Sequence, residues 1–264
     1  MSSTSRRLTL PLVLLALAAC SARTAAPPRT SATPVAATAA AKPTPKTAPT
    51  PALPSAVLWQ RTAAEYRAIH LQVFREAGEA LERLAAGRAP GTWAVSVDAD
   101  ETIIDNSLYA YERARAADAY ALPSWADWVK RREAAAVPGA IAFLQKVQNL
   151  GGRVAVVTNR GEDQCEDTRA NLRSRSIPFD LVLCRAEGAN GEKEGRWQAI
   201  ASGTAVPGLR PLEILVWVGD NVGDFPGLDQ SARDADDSAF ALFGERYFVL
   251  PNPVYGSWEK NTPR

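Results

Sequence analysis

Asp98, Asp100 and Thr102 stand at alternate positions of the stretch WAVSVDADETIIDNS, residues 93–107. Two carboxylates and a hydroxyl on one tight turn suit a carboxylate nucleophile beside a carboxylic acid, one attacking while the other supplies a proton. Alone, the pattern reads equally well as an acidic strand end or as an Asp capping a helix. Further groups of the same character follow down the chain: Thr158-Asn159-Arg160, then Lys193, then Gly219-Asp220-Asn221 with Asp224. Four such hits in this order are much harder to produce by chance than one.

The elements that must position them read from the same sequence. Residues 93–97 form an apolar run straight into Asp98, as expected of a buried parallel strand with an acid at its carboxyl end, where open α/β sheets place ligands. Residues 153–158 (RVAVVT), 179–184, 214–219 and 247–250 read as four further strands. Helices are expected over 138–150, stopped by Gly151-Gly152, over 162–174 and over 193–201. Repeated strand-helix units imply an α/β fold, a parallel sheet flanked by helices. Upstream, Thr62-Ala63-Ala64-Glu65 has the capping-box pattern, and Trp59, Tyr66, Ile69, Val73, Ala77, Leu81 and Leu84 recur at helical spacing to about residue 86. Residues 107–137 interrupt the alternation with Tyr111, Tyr120, Trp125 and Trp128, and read as a small, mainly helical cap after the first strand. Trp125 and Trp128 also suit a packed core.

Composition narrows the function. The 264 residues carry a net charge of +1, which argues against a nucleic-acid polymer as the partner. His70 is the one histidine and lies within the first helix; histidine nucleophiles, histidine-rich metal clusters and Ser-His-Asp triads therefore lack their residues. Cys165 and Cys184 have no arginine six positions on, which removes a cysteine phosphatase; a disulfide between them and two buried thiols both stay open. Residues 1–20 read as an export signal, with Arg6 and Arg7 before a short apolar run. Residues 21–54 are Ala, Pro, Thr and Ser with few charges and read as a tether, leaving 55–264 as the folded domain.

Taken together, DADET, the Thr158 strand end, Lys193 and GDNVGD resemble the four signatures of the haloacid dehalogenase (HAD) superfamily phosphohydrolases. DNS at 105–107, the Trp125 and Trp128 pair, VPG at 137–139, TNR, GDN and LPNPVYGSW at 250–258 resemble, more narrowly, the bacterial lipoprotein-e type acid phosphatases, class C enzymes with 5′-nucleotidase activity. The resemblance spans about residues 57–259 and implies a Rossmann-like core acting on small-molecule phosphomonoesters. It would make Asp98 the nucleophile forming an aspartyl-phosphate and Asp100 the general acid and then base. Thr158, with the neighbouring Asn159 amide, and Lys193 would hold phosphate. Asp98, Asp220 and the main-chain carbonyl of Asp100 would bind Mg2+, with Asp224 behind them. Trp125 and Tyr255 match rings that sandwich a nucleobase or aryl group. Leu17-Ala18-Ala19-Cys20 resembles a lipobox, with Cys20 lipidated and, by Ser21, held in the outer membrane.

Charge bookkeeping agrees with that implication. A phosphate dianion about 4 Å from one carboxylate costs roughly 4 kcal/mol per charge pair at an effective dielectric near 20. With Asp98, Asp220 and Asp224 all near, a divalent cation and one lysine are the minimum remedy. A protonated Asp100 implies an acidic optimum. Arg196, three residues after Lys193, could take the anion instead. Where the family often has two adjacent acids, Gly223 precedes Asp224. A non-catalytic envelope lipoprotein binding a nucleotide, cofactor or haem in the same pocket is the alternative; a phosphoacceptor signalling domain would need a kinase that an exported chain does not meet. Oligomeric state, a homo-oligomer included, stays open.

Overall fold

The computed structural model describes residues 51–263; the expected signal, the Cys20 lipidation site and most of the tether lie outside them. In chain order come α1 Ser55–Thr62, α2 Ala64–Ala85, β1 Trp93–Val97, β2 Ile104–Asp105, α3 Ser107–Arg115, α4 Leu122–Arg131, β3 Ala135–Ala136 and α5 Ala140–Asn149. Then follow β4 Arg153–Gly161, α6 Cys165–Ser174, β5 Leu181–Arg185, α7 Glu194–Ser202, β6 Glu213–Gly219 and β7 Tyr247–Val249.

Five strands make one parallel sheet in the order β5-β4-β1-β6-β7, so the acid-bearing β1 is central. All five residues of β1 are buried, because both faces of the sheet are covered. Alternation sorts them: Val95 and Val97 pack in a cluster with Phe74 and Leu81 of α2, Phe143 and Leu144 of α5 and Leu172 of α6, while Ala94 joins Trp197 and Ile200 of α7. Ser96, the polar residue β1 buries, accepts a hydrogen bond from Trp197 Nε1 at 2.9 Å, which offsets its desolvation.

The insertion after β1 contains α3 and α4. It leaves and returns through one antiparallel pair, Ile104 with Ala136 and Asp105 with Ala135, so its base is pinned beside the turn that carries Asp98 and Asp100. Trp128 is buried core and Trp125 is half-buried.

The capping box expected at Thr62 is absent. Thr62 ends α1, where its hydroxyl donates to Leu58 O at 2.7 Å, and α2 starts after Ala63 without a side-chain cap. The extended Ala63 splits the expected single helix in two, a break that apolar periodicity alone does not reveal. Cys165 and Cys184 form a disulfide with Cα atoms 5.9 Å apart, stapling the start of α6 to β5.

Candidate active site

Asp98 lies one residue beyond β1, and its N–H still donates to Val218 O at 3.0 Å, so the sheet ladder fixes its position. Asp220 lies one residue beyond β6, and Lys193 immediately precedes α7. These strand ends open into a cleft of about 2220 Å³ whose walls include Asp98, Asp100, Asn159, Lys193, Asp220 and Asp224.

Lys193 is buried between two carboxylates. Its ammonium contacts Asp98 and lies 2.6 Å from Asp224 Oδ1. The other oxygen of Asp224 accepts the Asn221 N–H at 3.0 Å, so a short turn after β6 aims this side chain. Gly219 is required there, since a Cβ would come within 2.3 Å of Asp224 Cβ. Burial works against the charge on Lys193, but Asp224 and Asp98 outweigh it and hold its pKa above the ordinary lysine value. Asp98 is pushed up to about 7, first by burial, while Lys193 pulls down and Asp224 and Asp100 push up.

Asp100 points to a different cation. Arg160 Nη2 donates to its Oδ1 at 2.7 Å, Arg160 Nε is 3.1 Å from both oxygens, and Asn106 Nδ2 adds a bond to Oδ1 at 2.8 Å. Trp128 Nε1 fixes Asn106 in turn, donating to its Oδ1 at 2.8 Å. Sequence reading assigned no role to Arg160, Asn106 or Glu101. Glu101 adopts φ 55°, a backbone region costly for a non-glycine residue, and so turns its buried carboxylate inward to accept from Asn106 N at 2.7 Å and from Tyr255 OH. Burial, then Asp100, push Glu101 up to about 8. Its position inside DADET marks it; its partner 154 positions away carries no local signal.

The strand expected to end at Thr158 continues to Gly161, so Thr158 is fully buried within β4, and its Oγ1 accepts from Arg160 N at 3.2 Å. Arg196 is spent on this strand end, donating to Thr158 O and to Asn159 Oδ1, the latter at 2.7 Å. Of the two candidate cations, Lys193 is therefore the one against Asp98. Trp125 and Tyr255 both line the cleft. Trp125 packs edge-on against Tyr109 at 5.3 Å, and the Arg160 guanidinium lies 5.3 Å from its ring centre.

Asp98, Asp220 and Asp224 present carboxylate oxygens within 4.8 Å of one another. Among the described residues the donors to Asp220 are neutral, Thr102 Oγ1 at 3.2 Å and Asn252 Nδ2 at 2.8 Å, and burial holds its pKa well above the ordinary value. An all-oxygen cluster with more acid than base suits a hard divalent cation. The other metal-like group, Glu162 with Cys165 and Cys184, is spoken for by the disulfide.

A parallel α/β sheet whose strand ends carry an acid turn, a buried lysine and a second acid loop defines a phosphohydrolase of the HAD type. Residues 21–258 match the HAD superfamily, subfamily IIIB (Acid phosphatase), and the chain belongs to that family. The class C acid phosphatase from Bacillus anthracis is similar in structure, at 29% identity over 77% of this chain and 85% of that one, with a TM-score of 0.69. The same phosphatase with tungstate bound matches equally, at 29% identity, 77% and 85% coverage and TM-score 0.69. The protein is an acid phosphatase that hydrolyses phosphomonoesters.

Proposed function

We propose that the chain is a magnesium-dependent phosphatase working through an aspartyl-phosphate on Asp98, with aryl phosphates and 5′-nucleotides as substrates. The carrying observation is the group of three carboxylates within 4.8 Å, with Lys193 buried against Asp98 and Asp224. Asp98 attacks phosphorus; the bond to the ester oxygen breaks, and that oxygen leaves with the proton of Asp100. Asp100 then takes a proton from water, whose oxygen attacks phosphorus and releases Asp98 and inorganic phosphate. Lys193 neutralises the phosphoryl oxygens, with the Asn159 amide and the Thr158 hydroxyl donating beside it. The binding of tungstate, a tetrahedral oxyanion, to the Bacillus anthracis phosphatase supports such an anion site.

Asp98, Asp220 and the Asp100 main-chain carbonyl would hold magnesium, with Asp224 in the same carboxylate group. The ion, when bound, supplies the charge that lets a phosphate dianion enter an acidic cleft. Trp125 and Tyr255 on the cleft wall suit aromatic leaving groups, since stacking tolerates many rings. The lipobox ending in Cys20 supports a lipid anchor in the bacterial envelope, facing periplasm or surface, and the Cys165–Cys184 disulfide fits an oxidising compartment.

Phosphate release from a nucleoside 5′-monophosphate and from an aryl phosphate tests this, with and without chelator, for the native protein and Asp98→Asn. Chelation and the variant should each abolish turnover, and magnesium should restore the native protein. Full activity of Asp98→Asn would remove the nucleophile assignment. A nucleotide retained without hydrolysis would remove 5′-nucleotides from the substrates.

A further inference from the structure

We infer that Arg160 and Asn106 are positioning residues that assign separate tasks to the two carboxylate oxygens of Asp100, leaving Oδ2 as the oxygen that carries the proton. The inference rests on the reading of Asp100 as general acid and base, and deepens it. Asp100 Oδ1 receives Arg160 Nη2 at 2.7 Å, Asn106 Nδ2 at 2.8 Å and Arg160 Nε at 3.1 Å, while among the described residues Oδ2 receives only the shared Arg160 Nε at 3.1 Å. A carboxylate oxygen that already meets three donors has no lone pair left to exchange a proton with substrate or water. Oδ2 does, and Asp100 lies on the cleft wall.

The clamp is itself held from several sides, as expected of a fixed orienting group. The Arg160 side chain is 2% exposed. Its Nη1 donates to Thr168 Oγ1 at 3.1 Å, and its guanidinium carbon lies over the Trp125 ring. Asn106 is gripped by Trp128 Nε1 at 2.8 Å and by Glu101 on its main-chain N–H at 2.7 Å. Every donor to Asp100 thus comes from a side chain anchored elsewhere in the core, so a rotation of Asp100 about its χ angles would break several bonds at once. In the forward step, Oδ2 gives its proton to the ester oxygen as the phosphorus–oxygen bond breaks. In the return step it takes one from the water that attacks phosphorus, so the carboxyl group ends as it began.

Proton donation matters most when the departing alcohol is a poor leaving group, and that dependence is the readout. In the full-length chain, kcat/KM is compared for 4-nitrophenyl phosphate and for a simple alkyl phosphate. Arg160→Lys keeps the charge and loses the fork; Asn106→Ser removes the second donor and leaves no buried unpaired charge. Both should lower kcat rather than raise KM. For Arg160→Lys the alkyl phosphate should lose about 100-fold and the nitrophenyl ester under about tenfold, the asymmetry also expected of Asp100→Asn. Adding Arg160→Lys to Asp100→Asn should then change little. Equal losses on both esters, or additive losses in the double variant, would overturn the positioning role. Should Arg160→Lys not fold by its thermal transition, the ester asymmetry of Asn106→Ser decides the matter alone. An Asp100→Asn protein with no ester asymmetry would instead count against Asp100 as the acid, a separate failure.

Discussion

Asp224 holds the ammonium of Lys193 at 2.6 Å, and that same ammonium reaches Asp98. Both side chains of the Lys193–Asp224 pair are almost out of water, at 2% and 7% exposure. Removing Lys193 strands the buried carboxylates that face it and costs about 3–5 kcal/mol, so Lys193→Ala should lower the thermal midpoint sharply, whereas Asp224→Ala leaves the ammonium paired with Asp98 and should cost less. Lys193→Ala should lower kcat/KM by at least about 100-fold, since the cleft would keep its acids without the cation that faces phosphate. Steady-state rates beside melting curves check both; a Lys193→Ala enzyme of native activity would show that another group receives the anion.

Tyr255 joins the C-terminal loop to the turn after β1 through its hydroxyl on Glu101. Tyr255→Phe keeps the ring but leaves a buried carboxylate short of a donor, so a stability loss of about 1–3 kcal/mol is expected in urea unfolding. Tyr255→Ala and Trp125→Ala should both raise KM for a nucleotide. If neither changes KM, these rings do not hold the leaving group.

The disulfide closes a loop with a sequence separation of 19 and should contribute about 3 kcal/mol by restricting the unfolded chain. The double variant Cys165→Ala, Cys184→Ala should unfold at correspondingly lower denaturant. Alkylation without reductant should label neither cysteine, and labelling of both would refute the bond.

His70 is fully buried, its Nδ1–H donating to Tyr66 O at 2.6 Å, and its Nε2 has no partner among the described residues. Burial lowers its pKa below the ordinary 6.5, outweighing the Tyr66 bond and the field of Asp105. The unfolded chain then takes up the proton first as pH falls. The stability His70 contributes is complete above about pH 6.5 and declines below it, by up to about 1.4 kcal/mol per pH unit until the lowered folded value is reached. Urea unfolding at pH 7.5 and 5 should show a smaller acid loss for His70→Phe than for the native protein. Equal slopes would mean that His70 binds its proton equally in both states.

Much of this protein is written locally. Apolar runs announce β1, β4 and β6, the first and last leading into Asp98 and Asp220 and the second into Thr158-Asn159-Arg160, because a strand buried on both faces needs little beyond its own residues and the presence of neighbours. Asp98, Lys193 and Asp220 are legible for the same reason, each next to a strand end or helix start that the local pattern marks, while Asp224 closes the short turn that follows β6. What the chain does with these groups depended on contacts that no window of sequence contains. Arg160 meets Asp100 across 60 positions, Thr102 meets Asp220 across 118, and Tyr255 meets Glu101 across 154. Lys193 is the cation the sequence assigns, with Arg196 as an open alternative, and only packing aims the first at Asp98 and the second at the Thr158 carbonyl. Backbone periodicity is set by nearest neighbours, whereas the pairing of buried charges is set by the least costly arrangement of the whole desolvated cluster, and only the assembled sheet brings that cluster together.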